Sequence, residues 1–418
     1  MSNNKQIFDI IDSEQGFSRG ISPYRLIKGE FDVCQPYFRV KKEEPLDSPV
    51  AKKRKKNKPK NPSNADLDTQ KRHQELRPQL ALCLEQLPEI WPDEWKAKTT
   101  PTIIDPSADN EAQAVDFPSI QQMVETAQDK FSFNTPPDKD NDLHVPEFEL
   151  TLAVTVDVDI FSIFNTVYIN KSLTDVKLLQ FTPSATYLIP PKSSFLMGSM
   201  QNSLDQLGSH SKFVMNGLDM PSAHAFHAVN KLGGADLIIM DPPWPNKSVQ
   251  RSSHYETQDI YDLYSIPMDS MISNKDTIVA IWVTNKPKFR NFIINKLFPS
   301  WKLKCISEWV WLKMTTQREC IFPIDSEHKK PYEQLIIGRP IASSDMSLPE
   351  SHIIVSVPST RHSRKPPLHD ILGAYLNSKK DPVCVEMFSR CLYPGWISWG
   401  NECLKFQHLS FFEKEESK

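Results

Sequence analysis

The sequence predicts an α/β protein whose best-packed domain lies in the second half of the chain. Two observations carry this. Apolar runs of strand length recur as ADLIIM (235–240), TIVAIWVTN (277–285), ISEWVWLKM (306–314), YEQLIIGR (332–339), HIIVSVP (352–358) and VCVEMFSR, which ends at Arg390. Among them lie two segments of helical periodicity, KFRNFIINKLF and PPLHDILGAYLNS. In the second, Pro366 and Pro367 stand where a first helical turn tolerates a missing N–H. Strands mixed with helices in this way form a largely parallel sheet covered by helices.

A chain of 418 residues exceeds one ordinary domain. We expect an N-terminal segment with a basic linker over 1–62, a middle region over 63–185 that is helical and then β-rich, and the α/β domain over 186–412. The run KKRKKNKPK, Lys52 to Lys60, has the composition of a nuclear import signal, so a nuclear location is expected. QELRPQLALCLEQL reads as a helix carrying Leu80, Leu82, Leu84 and Leu87, with Pro78 near its start. A short amphipathic helix is expected near Ile120–Ala127. FELTLAVTVDVDIF alternates as a half-buried strand does, and VKLLQF and ATYLIPP add strand-like pieces.

Composition narrows the function. A net charge of −3 excludes a polycation that coats nucleic acid, so any such site must be a local basic patch. No apolar run has membrane-spanning length, and MSNNKQIFDIIDSEQ lacks a signal-peptide layout. Seven scattered cysteines without a CxxC pair indicate neither a zinc cluster nor a disulfide framework, and a reducing compartment is expected. With only 12 glycines and no GxGxxG loop, a dinucleotide enzyme is disfavoured.

One motif carries chemistry. Asp241-Pro242-Pro243-Trp244 directly follows the ADLIIM strand, and open α/β sheets bind ligands beyond the carboxyl ends of their strands. These residue types suit an exocyclic adenine amine, a poor nucleophile whose lone pair is delocalised into the ring. The Asp241 carboxylate can accept one N–H and the Pro242 carbonyl the other. The second proline, Pro243, helps hold the loop rigid, so both acceptors are fixed in advance. The Trp244 indole can stack on an extruded base. The bland alternative is a strand-ending turn with its tryptophan packed away.

Further segments, in order, are WVTN (282–285), EWVWLK (308–313), HKKPYEQLIIGR (328–339), HSRKPPL (362–368), VEMFSR (385–390), PGWISWGNE (394–402) and LKFQH (404–408). With DPPW, they make the chain resemble the MT-A70 family of N6-adenosine methyltransferases over roughly residues 185–410, and most specifically its methyltransferase-like four branch. The resemblance implies a Rossmann-like methyltransferase domain that uses S-adenosylmethionine as methyl donor. It implies that Asp241 contacts both the target amine and the cofactor's amino group, that Lys365 lies near the cofactor's carboxylate, and that Arg390 hydrogen-bonds its ribose. It implies further that Phe388 walls the pocket and that Asn401 and Glu402 read the adenosyl group. Family members that act on messenger RNA have an asparagine where this chain has Tyr393, so the ribose contacts must differ. The residue that meets the cofactor adenine stays open, with Ser199 and Asn216 as candidates.

The loop PNKSVQRSSHYETQ is basic and aromatic, as a nucleic-acid grip should be. Lys247 and Arg251 are expected on phosphates, Asn246 and Tyr255 on the target nucleoside, and Arg361 and Arg364 along the same path. The resemblance implies adenine-N6 methylation of RNA, with the 2′-O-methyladenosine of U2 small nuclear RNA as the expected target. DNA adenine is the alternative substrate, and an inactive RNA-binding scaffold is the alternative of another class. A self-sufficient monomer is expected, with a heterodimer left open.

Overall fold

The computed structural model describes residues 8–37, 64–99, 147–159, 163, 166–181, 185–198, 229, 232–245, 260–326, 329–345, 347–361, 363–376 and 381–415. Its centre is a parallel group of strands: β8 (Ser194–Met197), β9 (Leu237–Met240), β10 (Ile278–Val283), β14 (Cys384–Met387) and β15 (Trp396–Gly400). They lie in the order β10-β9-β14-β15-β8. β9 and β10 are buried at every position, which explains why they read as continuous apolar runs rather than alternating ones. Leu237 and Ile239 of β9 face one core and Ile238 and Met240 the other, so both faces of the sheet are covered.

Outside this group the sheet departs from strict strand–helix alternation. β12 (Tyr332–Pro340) runs antiparallel to both β10 and β11 (Leu303–Lys313). β13 (Ser351–Ser356) runs parallel to β11. Because β12 is reversed, it is its amino end, at Tyr332 and Glu333, that shares an edge with the carboxyl ends of β9 and β10.

Among the described residues, strands from all three expected units join one eleven-stranded sheet. β1 (Phe8–Ile10), from the N-terminal segment, pairs with β13 at one edge. At the other edge lie β5 (Val167–Ile169) and β3 (Glu147–Glu149), which were placed in the middle region. β2 (Tyr24–Leu26) pairs with β16 (Phe412–Lys414), tying the two ends of the described chain together. A separate three-stranded sheet contains β4 (Val154–Val158), β6 (Lys177–Phe181) and β7 (Ala185–Ile189). Local pattern showed β4, β6 and β7 but not their partners, and it did not show β1, β5 or β16, because the pairing is long-range.

Among the helices, α1 (Ser13–Ser18) opens with Asp12, whose side chain caps the Gln15 N–H. α2 (Asn64–Ile90) buries Leu76, Leu80, Cys83 and Leu87, at helical spacing, against Val310, Leu312, Ile353 and Val355 of the sheet. This corrects two expectations. Leu82 is exposed, and Pro78 lies inside the helix, where packing on the sheet offsets its missing hydrogen bond. α3 (Asp93–Lys96) is followed by α4 (Met268–Met271). α5 (Pro287–Phe292) continues through a π-turn over Ile293–Leu297. α6 covers only His369–Gly373, so Pro366 and Pro367 precede the helix instead of opening it.

The basic run Lys52–Lys60, the expected helix near Ile120–Ala127, and Ser199, Asn216, Asn246, Lys247, Arg251 and Tyr255 lie outside the described residues. Among the described residues, no helix is long and apolar enough to cross a membrane, and no cluster of His, Cys, Asp and Glu could hold a metal.

Candidate active site

Asp241 is the first residue beyond β9, and the sheet brings several distant segments to its carboxylate. Lys365 Nζ lies 2.9 Å from Asp241 Oδ2. Arg390 Nη1 donates to the same oxygen at 3.2 Å. Arg390 follows β14, and its Nε donates to Glu402 Oε2 at 2.9 Å, on the turn after β15. Lys405 Nζ donates to the other Glu402 oxygen at 2.9 Å. On the opposite side, Lys365 Nζ is 3.3 Å from Glu333 Oε2 at the start of β12, and Lys313 at the end of β11 pairs with Glu333 Oε1. A row of alternating charge, Lys313–Glu333–Lys365–Asp241–Arg390–Glu402–Lys405, thus follows one edge of the sheet.

The row is partly buried, and its members set one another's protonation. Burial opposes the Lys365 ammonium, but Asp241 and Glu333 outweigh it and hold the pKa above the usual lysine value. Burial likewise opposes charge on Glu333, yet Lys313 and Lys365 bring its pKa down to about 2. Glu402 is also kept below the usual carboxylate range, by Arg390 and Lys405 acting against burial. Lys365, Glu333 and Glu402 are therefore charged at neutral pH. A ligand bearing a carboxylate, an ammonium and a sulfonium would find a partner of the opposite sign for each, so the residues fit S-adenosylmethionine.

A small cavity opens beside Lys365. Ile239, Trp282, Glu386 and Trp396 line it from the sheet, and Pro366, Leu368, His369 and Tyr393 line the other side. Glu386 behaves unlike its neighbours: burial raises its pKa to about 7, even though Ser389 Oγ donates to its carboxylate at 2.8 Å. Tyr393 is stacked on Phe17, with centroids 5.5 Å apart, and burial lifts its phenol well above the usual value.

The DPPW loop is held from within. The Trp244 backbone N–H donates to the Pro242 carbonyl at 2.8 Å. A carbonyl oxygen has two lone pairs, so one acceptor position remains. The Trp244 indole Nε1 donates to the Trp282 carbonyl at 2.8 Å, and its ring packs on Phe289 at 4.9 Å. Only 8% of Trp244 is exposed, so the stacking surface expected of it is corrected: its ring is part of the core and braces the loop.

The remaining candidates divide. Phe388 is half-buried and has φ +59°, a conformation that costs a non-glycine residue about 1–3 kcal/mol. The turn it makes brings Ser389 against Gly400, where an added Cβ would sit 2.8 Å from Ser389 N. Asn401 is exposed on the turn after β15. Arg361 and Arg364, expected on nucleic acid, turn inward instead. Arg361 Nε meets both oxygens of Glu30 at 3.1 Å. The Arg364 guanidinium lies 4.1 Å from the Phe17 ring centroid and 3.5 Å from Glu30. Their partner is more than 300 residues away, beyond the reach of any local charge pattern.

Sequence reading missed Glu333, Lys313, Glu386 and Lys405. All four fall inside segments quoted for the family resemblance or at their edges. What was lacking was the reversal of β12, which brings Glu333 to this edge.

Residues 235–402 match the MT-A70 family model. The chain is 39% identical over 258 residues to human N(6)-adenine-specific methyltransferase METTL4, covering 59% of this chain and 49% of that protein. It is 37% identical over 243 residues to the N6-methyladenosine RNA methyltransferase MTA1 of Pyricularia oryzae, covering 56% and 58%. It is 30% identical over 243 residues to a DNA N6-methyl methyltransferase of Caenorhabditis elegans, covering 57% and 59%. The chain thus spans about half the length of the curated relatives it matches. The matched stretch runs from Ala235, just before β9, to Glu402 and encloses Asp241, Lys365 and Arg390, so the part of the chain that carries the site is similar to the MT-A70 family.

Proposed function

We propose that this protein is an S-adenosylmethionine-dependent adenine-N6 methyltransferase acting on nucleic acid, built on a Rossmann-like domain. The carrying observation is that Lys365 and Arg390 both engage Oδ2 of Asp241, which leaves Oδ1 as an acceptor at the carboxyl end of β9. Oδ1 takes one N–H of the adenine amine and the free lone pair of the Pro242 carbonyl takes the other. Together they localise the nitrogen lone pair, and the two prolines hold the acceptors without reorganisation. When bound, S-adenosylmethionine supplies an electrophilic methyl group on sulfur. Lys365 binds its carboxylate, and Glu402, oriented by Arg390 and Lys405, accepts from its ribose hydroxyls. No strong base is required, because the amine sheds its proton to solvent after methylation.

We further propose RNA as the substrate, specifically the 2′-O-methyladenosine of U2 small nuclear RNA, with nuclear import through Lys52–Lys60 and action as a monomer. The Pyricularia relative named for RNA supports this class. The Caenorhabditis relative named for DNA supports DNA adenine as the second reading. The test is nucleoside mass spectrometry after incubating the purified chain with U2-derived RNA, with and without the 2′-O-methyl group, and with DNA of matching sequence. N6,2′-O-dimethyladenosine formed in preference to either product bearing only an N6-methyl group supports the RNA reading. Product from DNA alone replaces it, and no methylated adenosine from any substrate removes the enzyme reading.

A further inference from the structure

We propose that Glu30 and Arg364 are a positioning pair that fixes the Lys365 ammonium against Asp241, so that the N-terminal segment sets the geometry of the cofactor end of the site. The proposal rests on the methyltransferase reading of that site. Lys365 belongs to a stretch, 359–368, whose described residues lie in neither helix nor strand. Yet its ammonium meets two carboxylates within 3.3 Å. Backbone without regular hydrogen bonding does not hold such a contact unaided.

The N-terminal segment holds it at three points. Ahead of Lys365, the Glu30 carbonyl accepts from Thr360 N at 2.8 Å, and the Glu30 carboxylate takes Arg361 Nε at 3.1 Å. Immediately beside Lys365, the Arg364 side chain is 1% exposed and its partner Glu30 only 5%. The Arg364 guanidinium also lies over Phe17 at 4.1 Å and Phe406 at 5.0 Å. Beyond Lys365, the Pro367 ring abuts Gly16, where a Cβ would sit 2.5 Å from Pro367 Cγ.

The physics of a buried ion pair makes this arrangement consequential. Removing the Glu30 charge leaves two guanidinium groups uncompensated, one of them almost fully buried. The least costly relaxation moves this stretch outward, which draws Lys365 from Asp241 and Glu333. The strands beneath are held by their own ladders and need not shift.

The test uses the full chain and three variants: Glu30→Gln, Gly16→Ala and, as a control in the same region, Glu413→Gln, which breaks an exposed ion pair with Arg25. Hydrogen–deuterium exchange without cofactor reports the stretch directly, and calorimetric titration with S-adenosylmethionine reports its consequence. Glu30→Gln is expected to speed exchange over 359–368 by about tenfold while β9 and β10 keep their protection. It should weaken cofactor affinity by about tenfold, with kcat at saturating cofactor within about twofold of wild type. Gly16→Ala should move both readouts the same way without altering charge, and it stands in should Glu30→Gln not fold. Glu413→Gln should move neither.

Wild-type exchange over 359–368 in both variants overturns the proposal. So does exchange that rises uniformly across the sheet, which marks a merely structural pair. Should the wild-type chain bind no S-adenosylmethionine, the methyltransferase reading fails, and the exchange measurement still decides whether Glu30 fixes the stretch.

Discussion

Lys365 and Asp241 are 124 residues apart in sequence, and their charged ends meet at 2.9 Å. Lys365 comes from the stretch after β13 and Asp241 from the end of β9. Neither carries a site alone. On the proposed reading, their meeting gives the sheet edge a cation to hold an anionic ligand group and a carboxylate fixed at the place of reaction.

Replacing the ammonium tests the first half of that statement. Lys365→Met keeps most of the stem and leaves Asp241 with Arg390 and Glu333 with Lys313. Calorimetric titration is expected to show S-adenosylmethionine binding weakened by about 2–3 kcal/mol, the usual cost of losing one member of a desolvated charge pair. Unchanged affinity would place the cofactor carboxylate elsewhere.

Trp244 separates two accounts of the DPPW loop. Trp244→Phe keeps an aromatic ring but deprives the Trp282 carbonyl of its donor. Urea unfolding should show a loss of about 1–2 kcal/mol, with kcat reduced as the loop loosens. The KM for oligonucleotide should stay within about twofold, because the buried ring does not meet the base. A large rise in KM with unchanged stability would restore the stacking role.

Glu386 and Glu333 give opposite pH dependences. The folded Glu386 pKa, about 7, lies above the ordinary 4.5, so its protonated form favours the native state. That contribution is full below about pH 4.5 and is lost as pH rises through 7. Glu333, near 2, contributes stability above its ordinary pKa and loses it as pH falls toward 2. Melting temperatures measured from pH 5 to 8 should therefore fall less steeply in Glu386→Gln than in wild type. Above pH 7 the variant should gain on the order of 2 kcal/mol relative to wild type. Parallel curves for the two proteins would contradict this assignment.

Glu308 pins α2 to the sheet. Arg72 of that helix donates to Glu308 Oε2 at 2.6 Å, and Arg290 of α5 donates to the same oxygen at 2.8 Å. Glu308→Ala leaves two guanidinium groups facing each other. Urea unfolding should show a loss of about 2–4 kcal/mol, toward the lower end because the cluster is partly exposed. Limited proteolysis should cut within 64–99 before it cuts the sheet.

The legible parts of this protein were those encoded locally. The fully apolar runs of β9 and β10 announced buried strands, and Asp241 announced chemistry because it follows one of them. Lys365, Arg390 and Glu402 were placed by family resemblance, and the structure brings them to Asp241 in one row. What stayed hidden depended on distant partners. Arg361 and Arg364 look like a basic patch until Glu30 folds beneath them. Glu333 looks like an ordinary strand residue until β12 is seen to run backwards. Trp244 looks free until Phe289 and the Trp282 carbonyl close on it.

The most direct measurement is a single-turnover assay with trideuteromethyl S-adenosylmethionine, reading nucleosides by mass spectrometry for the wild-type chain and for Asp241→Asn. From the wild type, the account predicts an N6-methylated product nucleoside three mass units heavier than its unlabelled counterpart. It predicts a rate about 100-fold or more lower from the variant, whose melting temperature should be little changed. Equal rates from the two proteins, or no labelled adenosine from either, would contradict it.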